Sequence, residues 1–479
     1  MIHRSHAPRV HGEWTARWFA GDAQLTELFG PAPTLDALAT HAATIRAAPG
    51  WTSLLEPEPG PALDSDSLVV LAGQQPVLAG GAALVVHKAV TALALARDLA
   101  KRVDRPVVPV FLLATQDADT SEVDHVDLLG ERDQIVRLRC PVQPAQEMFA
   151  RAHWERTGLQ RVFDELRRRV PGAAKLLQDL KHDASGGAAL TDHVLTLLRR
   201  TLGPFGLRFV QAHKLAEVGR PVLDLALSDH RAHIAQLESG AARLREADLK
   251  VAFDPHDPRP LVLESRDGRR KRLEADDEQA RTRLSRSPGD FSPHAALRPI
   301  VQAAALPVVA QVAGPSEILY LGQARELHAL HDRRRPLLVP RMEATQLSAA
   351  QFEHLAPDFR LEPEVQAYAN TREQLLADAA VFARELRQDE PRLAVQLDRW
   401  QQRLQRDLQR LAAQPFWAQR QRGALSQALV PRGRPQDAVF AWLPQAWGRG
   451  DPSAWVEQLL DMSRGHEPPV HLFHHLSER

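Results

Sequence analysis

The sequence predicts an α/β protein: a doubly wound, mainly parallel sheet carrying an α-helical coiled-coil hairpin. Two features predict the sheet. Residues 68–72, 106–114, 306–313 and 337–340 are short, almost wholly apolar runs, the pattern of strands buried on both faces. The first two flank a glycine-bearing loop and a helical stretch from 82 to about 102, with Val86, Val90, Leu93 and Ala94 on one face. Strand, loop, helix and strand make a βαβ unit with a right-handed crossover. A third feature predicts the hairpin. From 364 onward apolar residues recur at spacings of three and four, first Val365 to Leu386 and, after Pro391, Leu393 to Leu411. A plain helical lid on the core is the alternative.

Each remaining segment fits this frame. Residues 1–60 contain short helical pieces and proline-rich joints, a wrapping arm ending in Glu56-Pro57-Glu58-Pro59-Gly60-Pro61. Residues 61–363 form the core with small insertions. These include helical pieces at 161–170 and 189–202, a strand at 206–210, and a hairpin signalled by Asp267-Gly268. Residues 364–425 form the helical hairpin, and 426–479 pack back on the core. A chain of 479 residues is long for one core, so more than one domain is expected. Net charge is zero, which argues against nucleic acid or an anionic membrane as partner. The single cysteine, Cys140, excludes an intrachain disulfide and a Cys-rich zinc site, and reads as a buried thiol. The N-terminal residues lack an apolar signal core and no run reaches membrane-spanning length, so a cytoplasmic protein is expected.

Chemistry is expected at the strands' carboxyl ends, where open α/β sheets build sites. Gly73-Gln74-Gln75 precedes a helix carrying His87 and Lys88. That loop could hold a phosphate at the helix N-terminus, or be a tight turn with a solvated lysine. Asp117, Asp119, Glu122 and His125 follow the second strand. They could bind Mg2+, orient an amine or act as general base, with capping by Asp119 as the alternative. Arg298, with Gln302, suits bidentate grip of a carboxylate, or a buried salt bridge to Glu317. Glu317, Tyr320 and Gln323 follow Gly314-Pro315, and Arg341 after Val339-Pro340 is a further anion contact. Neither a G-x-S-x-G elbow nor an H-E-x-x-H helix is present, and no protein-held metal site is assigned.

Taken in order, these segments resemble the BshC family, the cysteine-adding enzymes of bacillithiol biosynthesis. The resemblance rests on Gly73-Gln74-Gln75 with His87-Lys88, and on 106–111 running into Asp117, Asp119, Glu122 and His125. It continues through Phe291-Ser292-Pro293, Leu297-Arg298-Pro299, Gln302, Gly314-Pro315, Glu317, Tyr320, Gln323, Pro340-Arg341 and the late Pro431, Gly433, Pro435, Gln436. It implies a Rossmann-like core and a homodimer formed through the helical hairpin. The implied reaction joins the carboxylate of L-cysteine to the amine of glucosaminyl-malate. ATP is the expected cofactor, with ADP as a bound form and Mg2+ alongside. The implied catalytic residues are Asp117, Asp119, His125 and Glu317. Gly73, Gln74, Gln75, His87, Lys88, Glu122, Arg298, Gln302, Tyr320, Gln323 and Arg341 are expected to bind substrate. The chain departs from the family's usual Glu-Asp-His-Asp, having Gln116-Asp117-Ala118-Asp119, and has Gln211-Ala212 where an aspartate is usual. Two alternatives follow: another ATP-dependent amide ligase on this scaffold, or a silent nucleotide-binding dimeric scaffold protein.

Overall fold

A computed structural model describes residues 2–5, 13–58, 63–130, 135–185, 189–254, 256–347, 436–448, 450–463 and 471–475, with isolated helical positions between 376 and 404. The expected coiled-coil hairpin therefore lies outside the described residues.

The core elements, in chain order, are β1 (Leu68–Gln74), α1 (Leu84–Leu99), β2 (Val107–Leu113), β3 (Arg208–Gln211), α2 (Ala216–Ser228), α3 (His230–Glu246), α4 (Arg298–Ala305), β4 (Val308–Ala313), α5 (Pro315–Gln323) and β5 (Leu337–Pro340). Five strands form one sheet in the order β5-β4-β1-β2-β3, every pair parallel. Alternate side chains explain why each strand is apolar on both faces. Leu68, Val70 and Ala72 join the core beneath α1, while Val69 and Leu71 face α2 and α4. The chain leaves β1 toward β2 and leaves β4 toward β5, in opposite directions. The crevice between the carboxyl ends of β1 and β4 is therefore the topological switch point.

The insertions carry what surrounds that crevice. An antiparallel hairpin, Val262–Arg266 with Arg269–Arg272, turns at Asp267 and Gly268 with φ of 54° and 72°. Two successive positive φ values are the I′ geometry that Asp-Gly favours. The three residues Phe291–Pro293 add to its edge. Residues 2–5, 471–475 and 343–347 make a further three-stranded sheet that the sequence did not signal. Among the described residues, no helix is long and apolar enough to cross a membrane.

Helix α3 crosses α5 at Gly240, where an added Cβ would lie 2.0 Å from the Gln323 carbonyl oxygen. Gly240→Ala is expected to lower unfolding free energy by about 1–3 kcal/mol, because backbone cannot yield as a side chain can. Gly203→Ala, where a Cβ meets nothing within 4 Å, is the control and should change little in the same urea titrations.

Candidate active site

Lys88 points from the second turn of α1 to the carboxyl end of β1 and is almost wholly buried. Its Nζ donates to the Gly73 carbonyl at 3.0 Å and to Gln74 Oε1 at 2.7 Å, and pairs with Glu317 Oε2 at 2.6 Å. Those are all the donors an ammonium has. Burial pushes Lys88 below the ordinary lysine value, and the Glu317 carboxylate opposes that shift. Glu317 is placed by α5, where its carboxylate reaches back to the N-cap and accepts from Gly314 N–H at 2.8 Å on Oε2. Gly73 is required: a Cβ there would sit 2.9 Å from the Leu112 carbonyl.

The expected phosphate cradle at the start of α1 is filled by protein. Ala83 N–H donates to the Phe440 carbonyl, Trp442 N–H to Gly81, and the Trp442 indole to Gly80. His87 is likewise turned inward, with Nδ1 at 2.9 Å from Asp437 Oδ2. Arg341 pairs with the same carboxylate at 2.5 Å, and with Glu343 at 3.4 Å. All four of these residues are buried, so His87 and Arg341 are not placed for direct substrate contact.

A second charged group opens to solvent one strand away. Asp117, after β2, accepts from Gln75 Nε2 at 3.0 Å and pairs with Arg298 at 2.9 Å, with Arg270 at 3.6 Å. Burial would raise its carboxyl, but Arg298 and Arg270 outweigh that and hold it at about 2. Arg270 comes from the inserted hairpin and is fixed by Ser292 Oγ at 2.8 Å and the Pro293 carbonyl at 3.1 Å. His294 lies beside these arginines; burial and their charge push it down to about 3, so the ring is neutral at pH 7. Gln116, Asp117, Arg298 and Gln302 line a narrow cleft with an interior volume of about 10 Å3, against Leu112, Ala114, Ala212, Leu215 and Val301. The buried Oε1 of Gln302 has no hydrogen-bond partner, an acceptor left for a ligand or water.

Several expectations are corrected here. Asp119 is exposed and caps residues 120–123 through Ser121, and Glu122 is exposed on that turn. His125 pairs with Asp124 at 2.8 Å at the start of a separate hairpin. The short helix thus turns these three away from Asp117. A carboxylate held at about 2 is also a poor proton acceptor, which argues against Asp117 as general base. Gln323 is saturated: its Oε1 accepts from Ala252 and Phe253, and its Nε2 donates to Leu237 and Phe253 carbonyls. Tyr320 packs on Phe253, and burial, with Glu317 nearby, pushes its hydroxyl well above the usual range. Arg270, His294 and Asp437 were not anticipated. For Arg270 the signal was strand alternation, which puts Arg270 and Arg272 inward and Arg269 and Lys271 outward. Among the described residues, no group of three or more His, Cys, Asp or Glu could hold a metal ion.

Residues 61–342 match the family model for bacillithiol biosynthesis BshC, N-terminal Rossmann-like domain. The chain belongs to the BshC family. Its curated relatives include proteins called "Putative cysteine ligase BshC". That of Heliobacterium modesticaldum is 29% identical over 316 residues, 59% of this chain and 55% of the relative. That of Salinibacter ruber is 29% identical over 299 residues, 58% and 54%. That of Staphylococcus carnosus is 24% identical over 336 residues, 66% and 61%. The chain thus spans little more than half the length of the first two. The parallel sheet is the Rossmann-like core of this family.

Removing one partner of a buried ion pair strands the other charge. Glu317→Gln is expected to destabilise the protein by about 3 kcal/mol. Lys88→Met/Glu317→Leu should cost less than the two single changes summed, read as a coupling energy from urea unfolding.

Proposed function

We propose that this protein is an amide-forming ligase of bacillithiol biosynthesis, joining the carboxylate of L-cysteine to the amine of glucosaminyl-malate. The observation that carries the reading is the charge of the cleft: two guanidinium groups, Arg270 and Arg298, share one carboxylate, Asp117. The surplus positive charge suits a carboxylate-bearing substrate. Arg298 is the more exposed of the two, at 24% against 8%, so it is the anchor and Arg270 stands behind it. Asp117 holds Arg298 in place and offers a negative oxygen to an incoming ammonium. Family membership and the relatives' names support the reaction class.

Forming an amide from a free carboxylate at neutral pH needs an activating co-substrate, and ATP is that class, with Mg2+ as its usual companion. The covered N-terminus of α1 does not suit its phosphates, so no step is assigned to a nucleotide there. A second reading, another amide ligase on the same scaffold, is favoured by Ala118, which puts no imidazole in the loop bearing Asp117.

The test is mass spectrometry of the purified protein with glucosaminyl-malate, L-cysteine, ATP and Mg2+. The cysteinyl amide is the expected product, and Arg298→Ala should lower kcat/KM about a hundredfold. Folded protein that binds the sugar yet forms no cysteinyl amide would overturn the first reading and leave the second.

A further inference from the structure

Arg341 directly follows β5 and is almost wholly buried, within one residue of the end of the family match at 342. Its main counter-charge comes from far outside that match. Asp437 lies 96 residues on and accepts from Arg341 Nη1 at 2.5 Å and Nη2 at 3.4 Å. Arg341 Nη1 also donates to the Met342 carbonyl, and Nη2 stands 3.4 Å from Glu343.

Across Gly314 from Arg341 is Glu317. A Cβ built on Gly314 would lie 3.3 Å from Glu317 Oε2 and 3.7 Å from Arg341 Nε, so the two charges flank one glycine. Among the described residues Glu317 is also the only carboxylate paired with Lys88, whose other two acceptors are the neutral oxygens of Gly73 and Gln74. A buried guanidinium takes whichever carboxylate is within reach. While Asp437 holds Arg341, Glu317 is free to serve Lys88.

We propose that Asp437 is a positioning residue for the switch point: by occupying Arg341 it keeps Glu317 on Lys88, so the Rossmann-like domain is completed by the C-terminal segment. The charged groups around this point are Lys88, Glu317, Arg341, Glu343, Asp437 and the imidazole of His87. This goes beyond the ligase reading and does not depend on it.

The test is the ionisation of Lys88, followed by NMR on protein labelled with 13C at lysine Cε. The chain has only seven lysines, and Lys88→Arg assigns the signal. In Asp437→Asn, Arg341 draws Glu317 away and the Lys88 midpoint is expected to fall by about one pH unit or more. Asp437→Glu should restore most of the shift. Asp437→Asn/Arg341→Met removes the competing cation together with its partner, and should raise the midpoint above that of the unchanged protein. A purely structural role would not reverse sign. An unchanged midpoint in folded Asp437→Asn overturns the proposal. If that variant fails to fold, the double variant decides: a midpoint at or below that of the unchanged protein overturns it.

Discussion

The contact on which the rest of this architecture depends is the buried pair of Lys88 and Glu317. A lysine ammonium has three donors, and here each is committed, two to the last residues of β1 and one to the first turn of α5. One side chain thus ties together the two strands from which the chain departs in opposite directions. Such a pair adds little net stability, since desolvation consumes most of what the attraction returns. Its value is geometric. With Lys88 withdrawn from solvent only by satisfying all three bonds, the crevice between β1 and β4 has one permitted arrangement.

Around that pair the site separates into two electrostatic layers. The inner one, Lys88, Glu317, Arg341, Asp437, Glu343 and His87, is closed by its own partners and, Glu317 apart, nearly sealed from water. The outer one, Asp117 with Arg270 and Arg298, is held by Gln75, Ser292 and the Pro293 carbonyl, and faces the cleft. Gln74 and Gln75 are adjacent, and each serves one layer. The loop after β1 therefore sets the spacing between a closed network that shapes the crevice and an open one able to meet a ligand.

The sheet was legible because its strands are buried on both faces and so read as unbroken apolar runs, and Asp267-Gly268 announced its own turn. Of the expected site residues, Asp117 and Glu317 come just after strands of the sheet, Gln74 ends one, and Arg298 stood out as an arginine before proline in an apolar stretch. Asp119, Glu122 and His125 crowd Asp117 in sequence, but a single helical turn redirects them to a cap and a separate hairpin. Proximity along the chain is a weak guide where one turn reverses direction. Gln323, expected to bind substrate on the resemblance, has its whole amide taken up by neighbouring backbone. Asp437 had no local signal, because its partners His87 and Arg341 lie 350 and 96 residues away.

The sign of the cleft's charge rests on a residue that carries none. Gln116 is 5% exposed and lines the same walls as Asp117 and Arg298. With a glutamate there, two carboxylates would meet two guanidinium groups and the outer layer would be neutral. With glutamine, Arg298 keeps charge to give. In a recess with low-dielectric walls such a surplus acts strongly on whatever enters. Under the proposed function, the glutamine at 116 leaves that charge to an anionic substrate. A glutamate there would instead add a carboxylate able to accept a proton. The proposed role of this loop is therefore binding and orientation beside Arg298 and Arg270, not acid–base chemistry.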